Sequence, residues 1–127
     1  MNYTVIPAST ETPKYINQYL YSDVKPFEVI KKKSKTILII RAMKVKPDPD
    51  YKPEFVLGGF SAHCTNNGGQ KWIIESDENA KEFEIRLKKK RYHKYVNFDT
   101  RQELRMYGKY GDYIEADKPI YFYDYNF

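Results

Sequence analysis

Lys35-Thr-Ile-Leu-Ile-Ile-Arg-Ala-Met-Lys-Val45 is the stretch on which the fold turns. With a period of two, Ile37, Ile39, Arg41 and Met43 share one face, while Leu38, Ile40, Ala42 and Lys44 share the other. Both faces carry apolar side chains, so the pattern predicts a core strand, central to its sheet or covered on both sides. Phe27 to Lys33 shows the same alternation, and Lys33-Ser-Lys35 joins the two runs.

Downstream, Lys46-Pro-Asp-Pro-Asp-Tyr-Lys-Pro53 reads as an exposed loop, because its prolines remove ladder donors. Glu54 to Leu57 is a short strand. Lys71 to Glu75 and Glu82 to Lys88 read as a hairpin around Ser76-Asp-Glu-Asn79, with Phe83, Ile85 and Leu87 facing in. Further short strands are expected near Tyr95–Phe98, Glu103–Tyr107, Tyr113–Ala116 and Ile120–Tyr125, with turns at Gly108 and Gly111. Upstream, Tyr3 to Ile6 is strand-like. Thr12 and Pro13 read as the start of a short helix carrying Ile16, Tyr19 and Leu20, which Ser22, Asp23 and Pro26 end. No repeat or low-complexity tract divides residues 1–127, which read as one β domain. The expected fold class is all-β, a small Ig-like, decorated β-sandwich with a short N-terminal helix.

Composition narrows the class of function. The chain has 13 tyrosines and 41% hydrophobic residues, which fits a folded, strand-rich chain with amphipathic contact surface. Its longest apolar run, Thr36 to Ile40, is too short to span a bilayer, so no membrane partner is expected. Met1-Asn-Tyr-Thr4 does not read as a secretion signal, and a single cysteine, Cys64, fits a reducing compartment. The expected location is the cytoplasm. A net charge of +5 favours anionic partners without choosing among them.

The segment richest in chemistry is Gly58-Gly-Phe-Ser-Ala-His-Cys-Thr-Asn-Asn-Gly-Gly-Gln-Lys-Trp72. Its glycines permit close backbone approach, and loop amides of this kind form anion-binding concavities. Asn66, Asn67 and Gln70 suit the donor–acceptor edge of a base, and Phe60 or Trp72 offers a stacking face. The competing reading is an ordinary turn at Asn67-Gly68 whose polar side chains bond their own backbone. His63 and Cys64 are adjacent, so an extended backbone points them to opposite sides, which disfavours a nucleophile–base pair. His63 stays a candidate ligand contact, as does Asn97. The histidines and the cysteine match no metal-ligand spacing, and no cofactor is expected. Arg41, on a strand read as buried, needs an anion: a carboxylate of the protein or a phosphate of a ligand. Arg86, Arg101 and Arg105 are further candidate phosphate clamps. Lys31-Lys-Lys33 and Lys88-Lys-Lys-Arg91 read as solvated edge charges or as nucleic-acid contacts. The tyrosine-rich end, Ile120 to Phe127, reads as a last strand on the core or on a second subunit.

Several stretches in order resemble a group of small phage and prophage proteins. They are Tyr21-Ser-Asp23, Pro26-Phe-Glu-Val-Ile30, Lys35-Thr-Ile-Leu-Ile-Ile-Arg41, Lys52-Pro-Glu-Phe55, Gly58-Gly-Phe-Ser-Ala-His-Cys64 with Asn66, Gln70 and Trp72, and Phe122-Tyr-Asp-Tyr-Asn-Phe127. The size, inferred sandwich and nucleotide-like loop resemble the phage Thoeris anti-defence proteins, which trap cyclic ADP-ribose isomers without cleaving them. That resemblance implies a non-enzymatic sponge for a nucleotide second messenger, acting in the host cytoplasm as a homo-oligomer, with cyclic oligonucleotides as further ligands. A basic nucleic-acid-binding or host-protein-inhibiting phage protein is the alternative.

Overall fold

A computed structural model of the chain describes residues 4–58, 61–88, 94–97 and 99–126. Phe60, His93, Phe98, Phe127 and the run Lys89-Lys-Arg91 lie outside them. The chain is all-β and sandwich-like: a curled antiparallel sheet carries two smaller ribbons. In chain order the strands are β1 (Tyr15–Tyr19), β2 (Val24–Ser34), β3 (Ile37–Ala42), β4 (Lys44–Pro47), β5 (Phe55–Gly58) and β6 (Ser61–Cys64). After a 3-10 turn at Asn67–Gly69 come β7 (Trp72–Glu75), β8 (Phe83–Arg86), β9 (Lys94–Val96), β10 (Glu103–Tyr107) and β11 (Tyr113–Ala116). The seven-stranded sheet runs β8-β3-β2-β1-β11-β10-β9, while β4 pairs with β7 and β5 with β6.

The double-sided apolar run forms β3, where Leu38, Ile39 and Ile40 are all buried. Leu38 and Ile40 join Ile16, Phe27, Ile85 and Tyr107 in the core. The expected strand over 35–45 divides at Met43, and its second part leaves the large sheet for the β4–β7 ribbon. β4 also reaches Pro47, opposite Trp72, so the loop after it starts later than the prolines implied.

The N-terminal helix is not formed. Its residues build β1, whose neighbours are β2 and β11, because Ile16 completes the core while Asn17 is buried on the opposite side. Pro26 does not break the chain either. It lies within β2, opposite Asn17 and beside the end of β3, where only its carbonyl is used, accepting from Met43 N at 3.4 Å. β7 and β8 are not a hairpin: β7 pairs with β4, and β8 with β3. Ile120–Tyr125 is not a strand, and its ladder contact is one bridge from Phe122 to Val24.

Irregularities in the β2–β3 ladder near Val29 and Lys32 sharpen the sheet's twist. The sheet curls until β8 reaches β10: Leu87 bridges Tyr107, Lys88 N donates to Met106 O at 2.9 Å, and Gly108 N to Arg86 O at 2.8 Å. This seam places residues 83–88 beside the β10–β11 turn.

Candidate functional site

Along the seam lies an open groove of about 760 Å³, lined by Phe83 to Lys88, Gly108, Lys109 and Tyr113. Its aromatic base is a cluster of packed rings. Phe27 packs edge-on against Phe83 at 5.7 Å and Tyr113 at 5.6 Å, and Phe83 and Tyr113 lie 6.4 Å apart. Burial, followed by the charge of Asp112, pushes the Tyr113 phenol above its ordinary value of 10.0, so it stays a neutral hydroxyl at physiological pH. Arg86, Lys88 and Lys109 supply positive charge, and Lys88 Nζ is aimed by a 3.0 Å bond to Lys109 O. The groove's carboxylate, Glu84, is held by Lys33, whose hydrogen bond lowers its pKa below the ordinary 4.5. The groove therefore keeps an excess of cations beside an apolar base of mutually inclined rings. Its volume falls in the range typical of small-molecule sites.

Gly111 shapes this site. Its φ of +69° makes the turn after β10, and a Cβ there would stand 2.7 Å from Met106 Cε and 2.8 Å from Lys88 Cδ.

The arginines expected as clamps separate into two kinds. Arg41 Nε donates to Glu28 Oε1 at 2.6 Å, and Ser76 Oγ donates to the other carboxylate oxygen at 2.8 Å. Arg105 is held by Glu115, whose hydrogen bond raises the guanidinium pKa further, and its Nη2 donates to Glu11 O at 2.7 Å. Both side chains are thus satisfied by carboxylates of the protein. Arg101 sits with a left-handed φ of 62° in the turn that its N closes on Asn97 O at 2.7 Å, so of the four Arg86 is the one that lines the groove.

The 61–72 segment is organised differently from a ligand loop. Part of it is β6, paired with β5, and its polar side chains bond the protein itself. The Asn66 carboxamide accepts from Glu54 N at 2.8 Å and donates to Lys52 O at 2.8 Å. Asn67 donates to Asp124 Oδ1 at 3.0 Å and accepts from Tyr125 N at 3.2 Å. Gln70 accepts from Tyr123 N at 3.0 Å, donates to Tyr123 O, and also accepts from Trp72 Nε1 at 2.8 Å. Trp72 stacks edge-on with Tyr121 at 4.6 Å. The segment thus grips the C-terminal stretch; a turn does form at Asn67–Gly69, but no side chain caps it and these carboxamides bond distant residues instead. His63 is exposed on β6 while Cys64 is buried, so the two do face opposite ways.

Asn97 lies elsewhere, on a second groove of about 650 Å³ that also includes Tyr19, Tyr95, Leu104 and Ile114. Its carboxamide oxygen closes a turn by accepting from Asp99 N at 2.9 Å and Thr100 N at 3.2 Å.

Sequence reading missed Phe83, Tyr113 and Lys109 as site residues. The only local signal was the in-facing alternation of Phe83, Ile85 and Leu87 beside glycine turns more than twenty positions away. Among the described residues, no group of three His, Cys, Asp or Glu side chains is placed to hold a metal ion. No helix among them is long and apolar enough to cross a membrane. Comparison with family models, with curated proteins and with solved structures gave no match.

Proposed function

We propose that this protein binds a phosphate-bearing, ring-containing small ligand in the seam groove and holds it without chemical change. The observation that carries this reading is that Arg86, Lys88 and Lys109 line the same groove as Phe83 and Tyr113. Guanidinium and ammonium groups suit phosphate oxygens, and the aromatic base suits a nucleobase. Nucleotides have both parts. The resemblance in size and β-sandwich-like fold to the phage Thoeris anti-defence proteins suggests as ligand a cyclic nucleotide-type immune messenger, such as a cyclic ADP-ribose isomer. Sequestration of that kind needs a preformed cavity and slow release rather than a reactive group.

The test is thermal unfolding of the pure protein against a panel of cyclic nucleotides and cyclic ADP-ribose isomers, each in excess over protein. A ligand at about 100 times its Kd stabilises by about 2.7 kcal/mol. Heating the complex then releases the ligand for mass analysis. A large shift with intact ligand returned supports the reading, and a consumed ligand overturns it.

A second reading has one observation in its favour. Lys31, Lys32 and Lys35 are exposed at the β2–β3 hairpin, on the strand pair that leads through Ile37 to Arg86. A nucleic-acid strand lying there would lose affinity steeply with salt, whereas a groove ligand with few phosphate contacts would not.

A further inference from the structure

The C-terminal stretch 119–126 is bound by this protein in the way a peptide is bound by a receptor. Apart from the Phe122–Val24 bridge, side chains rather than a β-ladder hold it. The Gln70 carboxamide takes both the NH and the C=O of Tyr123. The Asn126 carboxamide does the converse, accepting from Cys64 N at 2.7 Å and donating to Cys64 O at 3.0 Å. Asp23 Oδ1 accepts from Asp124 N at 3.0 Å, and Asn67 Oδ1 accepts from Tyr125 N. Two rings lodge alongside, Tyr121 on Trp72 and Tyr125 on Phe55 at 5.9 Å.

The link into this strap is short. β11 ends at Ala116, Asp117 and Lys118 are exposed, and Pro119 follows. The Asn17 carboxamide pins it, donating to Lys118 O at 3.0 Å and accepting from Ile120 N at 2.8 Å.

We propose that this seat is exchangeable and that its second occupant is the same strap from another copy of the chain. Every copy carries both the seat and a segment that matches it, so an exchanged pair keeps the contacts of residues 121–126 named above and gives up only the Asn17 bond to Lys118 O. The only segment that must change course is Asp117-Lys118-Pro119, and such swapping is a low-cost route to a dimer. The proposal stands on the strap's own contacts and is independent of what the seam groove holds.

Deleting Asp117 and Lys118 removes about 7 Å of reach, enough to stop the strap closing on its own copy. Light scattering of this full-length deletion variant should then report a dimer. The same deletion combined with Gln70→Ala should shift it toward monomer. A monomer with intact β circular dichroism from the deletion alone overturns the proposal. If the deletion variant does not fold, wild-type chains bearing two different tags are refolded together at several hundred micromolar. Mixed-tag pairs in wild type that are lost in Gln70→Ala are the expected result. No mixed pairs, or pairs that persist in Gln70→Ala, overturn the proposal.

Discussion

Glu115 receives Arg105 twice on one oxygen: Arg105 N donates to Oε2 at 2.6 Å and Arg105 Nε to the same atom at 2.5 Å, while Nη2 reaches Oε1 at 3.2 Å. The carboxylate is thus both ion-pair partner and backbone cap, at a place where the β10–β11 ladder has stopped. Exchanging it for a carboxamide removes the charge and keeps the shape. Glu115→Gln should cost about 2 kcal/mol, since a partly buried guanidinium is left without its anion. Chemical denaturation measures this. Binding of any seam-groove ligand should be unchanged at temperatures where the variant is folded.

The contrast among the arginines gives the second prediction. Arg86→Ala should weaken a phosphate-bearing ligand about tenfold to a hundredfold, the loss expected for a charged hydrogen bond, with little change in unfolding midpoint. Arg41→Met should do the opposite, lowering the midpoint with little effect on affinity. Calorimetric titration and thermal unfolding on the same samples separate the two. Equal affinity for Arg86→Ala and wild type would remove the seam groove as the site.

Gly111 offers a variant that links turn geometry to the groove. Alanine there meets both a left-handed φ and the Lys88 and Met106 side chains. Gly111→Ala should destabilise by about 1–2 kcal/mol, or several degrees in a chain of this size. Because Lys88 must move aside, ligand affinity should fall as well, which a titration detects. A glycine needed only for its backbone would change the midpoint alone.

Alkaline pH should unfold this protein readily. Burial raises the phenol pKa of Tyr107, and of Tyr51, Tyr113, Tyr121 and Tyr125, above the ordinary 10.0. Folded tyrosines therefore hold their protons more tightly than unfolded ones. The stability this contributes is fully present below about pH 10 and is lost as pH rises through the folded values. In a titration from about pH 9 to 12 the buried phenols' share of the phenolate absorbance should appear together with the loss of circular dichroism, and Tyr107→Phe should reduce that share. A Tyr107 phenolate formed while the circular dichroism is intact would contradict the burial.

How far this fold and site can be read without coordinates depends on whether the partner is local. Leu38 and Ile40 announce β3 by alternation alone, and Glu103–Tyr107 and Tyr113–Ala116 fall where pattern and glycine turns place them. Ile16, Tyr19 and Leu20 mislead because a three- and four-residue spacing is also available in that short run. What decides for a strand is Asn17, whose carboxamide is satisfied by Lys118 and Ile120 far along the chain. The run at 66–72 is unusual in its polar chemistry, but its partners Tyr123, Asp124 and Tyr125 lie more than fifty positions away and nothing local names them. The groove went unseen because it is a product of sheet closure, with Arg86 and Tyr113 on different strands and neither carrying a local motif.

The seam between Leu87 and Tyr107 also sets an order of events during synthesis. When the ribosome has released the chain only as far as Arg86, β8 has β3 on one side and nothing on the other. The neighbouring edge is closed only after residues 106–108 emerge, so the nascent protein passes through a stage with an unpaired, partly apolar border. The seam groove is created by the same closure. A growing chain therefore gains the proposed site late, and an interrupted one presents an adhesive edge instead.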